Sequence, residues 1–142
     1  MKDDEQDRRE FALSLTGHVL DAAVVSALGL KIRTEASLTV ALMPDGSTAF
    51  LIGDYTGSPF VRSFSGEWEI GGRLIERYRI SCKWTGTSWT SIFRDEHATG
   101  DTPLQSAMRA LVAHSLVTDE AVDDFTDMTR IEVLQRVFAV TP

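Results

Sequence analysis

The sequence holds one cysteine, Cys82, so no disulfide can form within the chain and a disulfide-stapled scaffold is excluded. Histidine is almost as scarce. His18, His97 and His114 are scattered, no two at helical or hairpin spacing, and there is neither an H-E-x-x-H motif nor a cysteine pair. Nothing at this level points to zinc, and no cofactor is expected. Basic residues are in the minority: 14 Lys and Arg stand against 21 Asp and Glu, for a formal net charge of −7. That balance repels a phosphate backbone at long range, which makes generic nucleic-acid binding unfavourable while leaving room for a local basic face. The first ten residues are densely charged and hold no apolar signal core. No stretch approaches the roughly 20 apolar residues that cross a bilayer. The expectation is a cytoplasmic protein with no membrane partner.

What is present suits one globular domain. The chain has 142 residues, 43% hydrophobic and 25% charged, near the usual size and composition of a single unit. Residues 1–10 read as a frayed, solvated tail, and 11–142 as the folded domain. Thr16 is a good N-cap, and Leu20, Ala23, Val24, Ala27 and Leu28 follow at helical spacing. Gly29 supplies a left-handed stop, after which Leu30 can fold back onto Val25. Leu38, Val40 and Leu42 alternate as a half-buried strand. Pro44-Asp45-Gly46 then turns the chain into the apolar run Ala49–Ile52. Residues 53–66, rich in Gly, Ser and Pro, read as the longest irregular loop.

A short helix over 67–78 would turn Trp68, Leu74, Ile75 and Tyr78 inward, though Gly71-Gly72 weakens it. The clearest strand pair follows. Ile80, Cys82 and Trp84 alternate across a Gly86-Thr87 turn with Trp89, Ser91 and Phe93. This register sets Trp84 against Trp89 and Cys82 against Ser91, all on an inward face. Residues 95–101 read as a polar loop. Thr102, Pro103 and Gln105 open the strongest helix, with Leu104, Ala107, Met108, Leu111, Val112 and Leu116 buried and Gln105 and Arg109 outside. The acids between Asp119 and Asp127 form a solvated connector, and Thr129 and Glu132 can cap a last helix through Phe138. The fold class is α+β, an antiparallel β-sheet with helices packed on it.

The order of motifs is distinctive. It runs from Leu15-Thr16-Gly17 and Leu20-Asp21 through Trp68, Gly71-Gly72-Arg73-Leu74-Ile75-Glu76-Arg77, Ile80 and the Trp89 strand to Gly100-Asp101-Thr102-Pro103-Leu104-Gln105-Ser106-Ala107-Met108-Arg109. This string resembles NinX-like phage proteins and is similar to the related phage alpha-beta-alpha sandwich domains. The likeness covers about 15–116 and leaves 117–142 divergent. Arg62-Ser63-Phe64 stands where the family often has Tyr-Ser-Pro. The resemblance implies a phage or prophage origin and a helix-flanked antiparallel sheet, and it carries no activity.

Candidate chemistry is sparse. Cys82 falls on the inward face and reads as an inert thiol. The glycines at 53–57 and 71–72 fit neither the phosphate-loop nor the dinucleotide spacing. The acids of 119–127 lack the calcium-loop pattern. The three tryptophans read as core, with an exposed aromatic platform as the alternative. Candidate binding residues are Arg73, Glu76, Arg77, Arg79 and Lys83, with Arg94 on the facing strand and Arg109 on the following helix. Arg79, Lys83 and Arg94 would share the outward hairpin face, as a site for an anion or a partner, or else as a solvated surface of weak ion pairs. No catalytic constellation is visible. The leading expectation is a non-enzymatic interaction module that binds a host or phage protein. The alternatives are nucleic-acid binding through the basic 73–94 face, in an element order similar to double-stranded-RNA-binding domains, and an acidic DNA mimic built on the 119–127 cluster and the amino-terminal acids. Self-association is compatible with all three.

Overall fold

One helix passes through the middle of the molecule. The computed structural model describes residues 2–35, 38–52 and 61–138. Within it α4, Pro103–Thr118, is packed on nearly every side. Its start follows the sequence signals: Thr102 Oγ1 accepts from the Gln105 N–H at 3.0 Å, and Gln105 Oε1 accepts from the Asp101 N–H at 2.8 Å. The expected stripe of Leu104, Ala107, Met108, Leu111 and Val112 is buried, but so are Ser106, Ala110 and Ala113 on the other side. A helix covered all round is a core helix rather than a surface one. Gln105 and Arg109, expected outside, are half-buried.

The small face of α4 receives a three-stranded antiparallel sheet of β5 (Ser81–Trp84), β6 (Trp89–Phe93) and β7 (Glu96–Gly100). The register is the one read from the sequence, Trp84 opposite Trp89 and Cys82 opposite Ser91. Gly86 turns the hairpin at φ 101°. β7 replaces the polar loop expected over 95–101. Its inward residues are Glu96, Ala98 and Gly100, alternating with exposed His97 and Thr99, so no large apolar side chain announces the strand. Small size is the requirement here, since a Cβ on Gly100 would lie 2.7 Å from the Ser106 nitrogen. Ser91 and Ser106 meet Oγ to Oγ at 2.7 Å across the same junction. Ser91 Oγ also donates to the Cys82 thiol at 3.2 Å, and that thiol is half-buried.

On its other flanks α4 meets α1 (Lys2–Ser14) and α2 (Gly17–Leu28). α2 has its predicted limits: Gly29 adopts φ 116°, and the Leu30 N–H reaches the Val25 carbonyl at 3.2 Å. Thr16 takes the cap position without a side-chain cap bond. α1 overturns the frayed tail. Arg9 grips the buried Glu96 carboxylate with two bonds, at 2.9 and 3.0 Å, and Arg8 donates to the Leu116 carbonyl at 2.7 Å. Ala12 and Leu15 are buried beneath. The helix is almost wholly polar and held by long-range partners, which local sequence cannot display. Glu96 on the inward side of β7 is explained by the same pairing.

The second sheet lies apart, in the order β1 (Lys31–Glu35), β2 (Leu38–Leu42), β3 (Thr48–Ile52), β4 (Val61–Arg62). β1 to β3 are antiparallel as expected, while β4 runs parallel to β3. The helix-packed sheet of the prediction is therefore two sheets. Asp45 shapes the β2–β3 turn by accepting from Ser47 N–H at 2.9 Å and Ser47 Oγ at 2.6 Å. Residues 53–60 of the anticipated loop lie outside the described residues. α5 (Arg130–Phe138) carries the capping box foreseen in Thr129 and Glu132, with reciprocal bonds of 3.2 and 3.1 Å. Phe138 sets its ring edge-on to Phe50 at 4.8 Å and stacks on Phe64 at 5.8 Å.

Asp21, fully buried on α2, ties that helix to the segment before α3. Ser63 Oγ donates to it at 2.7 Å and the Ser65 N–H at 2.8 Å. Burial raises its carboxyl above the ordinary range, against the lowering effect of those bonds. The folded state holds that proton more tightly than the unfolded chain. The contribution of Asp21 to stability therefore falls as pH climbs from the ordinary value of 3.8 through the raised one. Asp21→Asn, which keeps an acceptor for Ser65, is expected to match or exceed the wild type in urea midpoint at pH 7 and to lose this pH slope. Asp21→Ala strands the Ser65 N–H and is expected to lose about 1–3 kcal/mol in the same titration.

Candidate functional site, the outer face of α3

α3 spans Trp68–Tyr78, and its glycine pair has a structural cause on each side. A Cβ on Gly71 would collide with the Phe64 carbonyl oxygen and stand 2.8 Å from Leu104 Cδ2, so the helix approaches the core more closely than any other residue permits. A Cβ on Gly72 would stand 2.8 Å from Trp68 Cε3, because the indole lies across that bare position. Ile70 and Leu74 fill the inward face, with Ile75 and Tyr78 partly covered. Trp68, read as core, is 59% exposed. Trp84, also read as core, is 51% exposed at the hairpin end, where its ring meets that of Trp89 at 5.6 Å. The helical alternation that buries Ile70 and Leu74 turns position 68 outward, and the strand pair runs beyond the helix that covers it.

The helix ends at Arg79, which adopts φ 55°, ψ 52°. The Ile80 N–H closes back onto the Ile75 carbonyl at 2.9 Å. This is the left-handed stop that usually falls to glycine. On the solvent side Trp68, Gly72 and Glu76 form one row at four-residue spacing, and Glu69, Arg73 and Arg77 form the next. Below them opens a concavity of about 640 Å³, lined by Arg73, Glu76, Arg77, Tyr78 and Arg79 from α3 and its end, and by Val122 and Asp123 from the connector.

The far wall is held by backbone and side chains together. The Val122 N–H donates to the Ala27 carbonyl at 2.8 Å and the Asp123 N–H to the Leu28 carbonyl at 3.1 Å, satisfying acceptors left open at the end of α2. Tyr78 Oη donates to Asp123 Oδ2 at 2.6 Å, and Arg136 Nη1 donates to Asp123 Oδ1 at 2.9 Å. Burial and the Asp123 carboxylate push the Tyr78 phenol well above its ordinary pKa. It therefore stays a donor throughout the range in which the protein is handled. The connector expected to be a solvated acidic run is so at Asp119, Glu120, Asp124 and Asp127, which are exposed, and is not so at Asp123.

Four of the seven predicted binding residues, Arg73, Glu76, Arg77 and Arg79, thus share one concavity. The other three do not join them. Lys83 is exposed on β5 opposite Thr90. Arg94 sits in a left-handed turn between β6 and β7, donates to His114 Nε2 at 3.2 Å and covers the Phe93 ring at 4.8 Å. Arg109 donates Nε to the Leu15 carbonyl at 3.0 Å and Nη1 to the Thr99 carbonyl at 2.9 Å, binding α1 and β7 to α4. The common hairpin face of Arg79, Lys83 and Arg94 does not form, because Arg79 ends a helix and Arg94 turns out of its strand. Trp68 and Asp123 were absent from the predicted site. A glycine four residues after a tryptophan was the available signal for the first, and no local signal exists for the second.

The arginines divide by employment. Arg8, Arg9, Arg94, Arg109, Arg130 and Arg136 each hold a carbonyl, a carboxylate or an imidazole elsewhere in the fold. Arg77 lies 5.9 Å from the Tyr78 ring centroid. Among the described residues the Arg73 and Arg79 side chains make no hydrogen bond or ion pair. Also among the described residues, no three His, Cys, Asp or Glu are grouped to hold a metal ion, and no helix is long and apolar enough to cross a membrane.

A family model described as Bacteriophage P22, NinX matches residues 13–115, well over half of the chain. The chain belongs to that family. Within this NinX-family chain the match takes in α2, both sheets, α3 and nearly all of α4, and it leaves the connector and α5 outside. The arginine wall of the concavity is therefore family sequence, and the Asp123 wall lies beyond the matched span. No curated protein matches the chain.

Two substitutions test this construction. Gly71→Ala is expected to lose roughly 2 kcal/mol or more in denaturant unfolding, because both the Phe64 backbone and α4 must move. Tyr78→Phe is expected to lose about 1 kcal/mol, the value of a hydrogen bond whose acceptor keeps a second partner in Arg136.

Proposed function

We propose that this phage-family protein is a non-enzymatic interaction module that binds a host or phage protein through the outer face of α3. The observation that supports this most directly is an exposed indole seated on Gly72, on the same helix as Arg73, whose side chain has no partner among the described residues. Tryptophan and arginine are enriched among the few residues that carry most of the binding energy at protein interfaces. The seat fixes the ring before binding, so little rotamer freedom is lost when a partner covers it. The rival nucleic-acid reading uses the basic 73–94 face, whose cations are divided: Arg73, Arg77 and Arg79 line the concavity beside Glu76 and Asp123, Lys83 stands on β5, and Arg94 meets His114 from the β6–β7 turn. The DNA-mimic reading has behind it the exposed acids of the connector and those of α1, Asp4, Glu5, Asp7 and Glu10.

Tagged protein is captured from host cells during phage induction, with and without nuclease. The expected result is one protein retained in stoichiometric amount, resistant to nuclease, and lost with Trp68→Ala, a variant whose unfolding midpoint stays at the wild-type value. Retention of nucleic acid alone, or of a protein indifferent to Trp68, overturns the proposal.

A further inference from the structure

We infer that the concavity beneath α3 seats a carboxylate-rich peptide segment, its acids held by Arg73, Arg77 and Arg79. This rests on the protein-interaction reading and names the chemistry of the partner.

The first ground is the uncommitted charge. In a chain of net charge −7, where acids outnumber bases, three guanidinium groups converge on one open hollow and two of them are without a partner in the described structure. Arginine stays ionised at every pH of interest, and its planar fork matches a carboxylate with two parallel bonds.

The second ground is the backbone of Arg79. A residue with a Cβ at φ 55° is strained, and the helix-ending position it occupies is the one where glycine is least costly. Its N–H serves the cap through the backbone alone, which glycine would do equally well. Arg94, Asp119 and Asp127 share this conformation, but the other arginine among them, Arg94, meets His114 within the fold, whereas the Arg79 side chain has no partner among the described residues, so folding gives no reason for a guanidinium at this place.

The third ground is the sign pattern of the walls. Glu76 and Asp123 line the same hollow as the arginines. A nucleic-acid backbone presents one charge at every step and meets repulsion there, on top of the long-range repulsion from the whole chain. A peptide can set acids against the arginines and a neutral or basic residue against Glu76. A volume of about 640 Å³ exceeds what a single carboxylate fills and falls among pockets that take molecules of several hundred daltons, roughly 300–1,000 Å³. Trp68 stands on the neighbouring row of the same helix, placed for an apolar side chain of the same segment.

The test is a titration of the whole isotope-labelled chain with N-acetylated, C-amidated hexaglutamate, with inorganic phosphate and a single-stranded oligonucleotide titrated in parallel. The expected result is movement of the Arg73, Arg77 and Arg79 Nε–H resonances with hexaglutamate, and affinity that falls as salt is added. Arg79→Gly should keep or raise Tm while weakening hexaglutamate at least tenfold. Arg73→Ala, on the exposed helix face, should weaken it similarly with Tm unchanged. Unmoved arginine resonances, wild-type affinity in both variants, a lower Tm in Arg79→Gly, or tighter binding of phosphate or oligonucleotide each overturn the inference. Capture that depends on Trp68 with no hexaglutamate binding leaves the interaction module standing and removes this site. Hexaglutamate binding with nothing captured does the reverse.

Discussion

Everything in this fold is arranged around a helix that has no solvent side. α4 buries large side chains toward α1 and α2 and small ones toward β6 and β7, and the sheet can come so close only because Ser106, Ala110 and Gly100 leave the room. At such a junction polar atoms must find partners within the protein, and they do: Ser91 with Ser106, Ser106 with the Pro103 carbonyl, and Arg109 with two carbonyls at once. The two sheets share no strand pairing and are joined through the helices. The stability of each depends on contact with the same hydrophobic core, so the parts unfold together rather than one by one.

Arginine serves as the long-range tie of this structure. Arg9 fastens α1 to β7, Arg109 fastens α4 to the chain after α1 and to β7, Arg130 fastens α5 to β3, and Arg136 fastens α5 to the connector. Arg9, Arg109 and Arg130 each reach a segment far away in sequence, and several of the four donate to backbone carbonyls, which makes the tie insensitive to the side chain at the acceptor position. The outer face of α3 departs from this economy. There the guanidinium groups surround empty space, and the aromatic ring beside them is turned to solvent.

Sequence reasoning reached what local chemistry controls. The limits of α2, the hairpin register from Cys82 to Ser91, the start of α4 and the capping box of α5 all rest on residues within a few positions of each other, and all stand in the structure. It went astray where a partner far along the chain decides. α1 is helical because Glu96 and the Leu116 carbonyl receive its arginines, and β7 is a strand because α4 tolerates only small residues beside it. Both look merely polar in the linear text. Trp68 and Trp84 show a different failure: a large aromatic in phase with apolar neighbours was assigned to the core, although periodicity says which face a residue occupies and not how far the covering element extends. Of the site, the cations of 73–79 were legible as a charged run, while the hollow itself needed the connector, whose path no local signal records.

That path has a consequence for variation. Val122 and Asp123 are held by their own backbone N–H groups to the open end of α2, so the course of the connector at this point does not depend on side-chain bonds alone. The exposed acids around them are partly committed: Asp119 and Asp127 hold left-handed turns, Asp124 Oδ1 accepts from the Thr126 N–H at 2.9 Å, and the Glu120 carbonyl accepts from Ser115 Oγ at 2.9 Å. That wall of the hollow takes its position from the end of α2, while the arginine wall takes its position from α3. A change that shifts one helix against the other alters the width of the hollow without touching any residue that lines it.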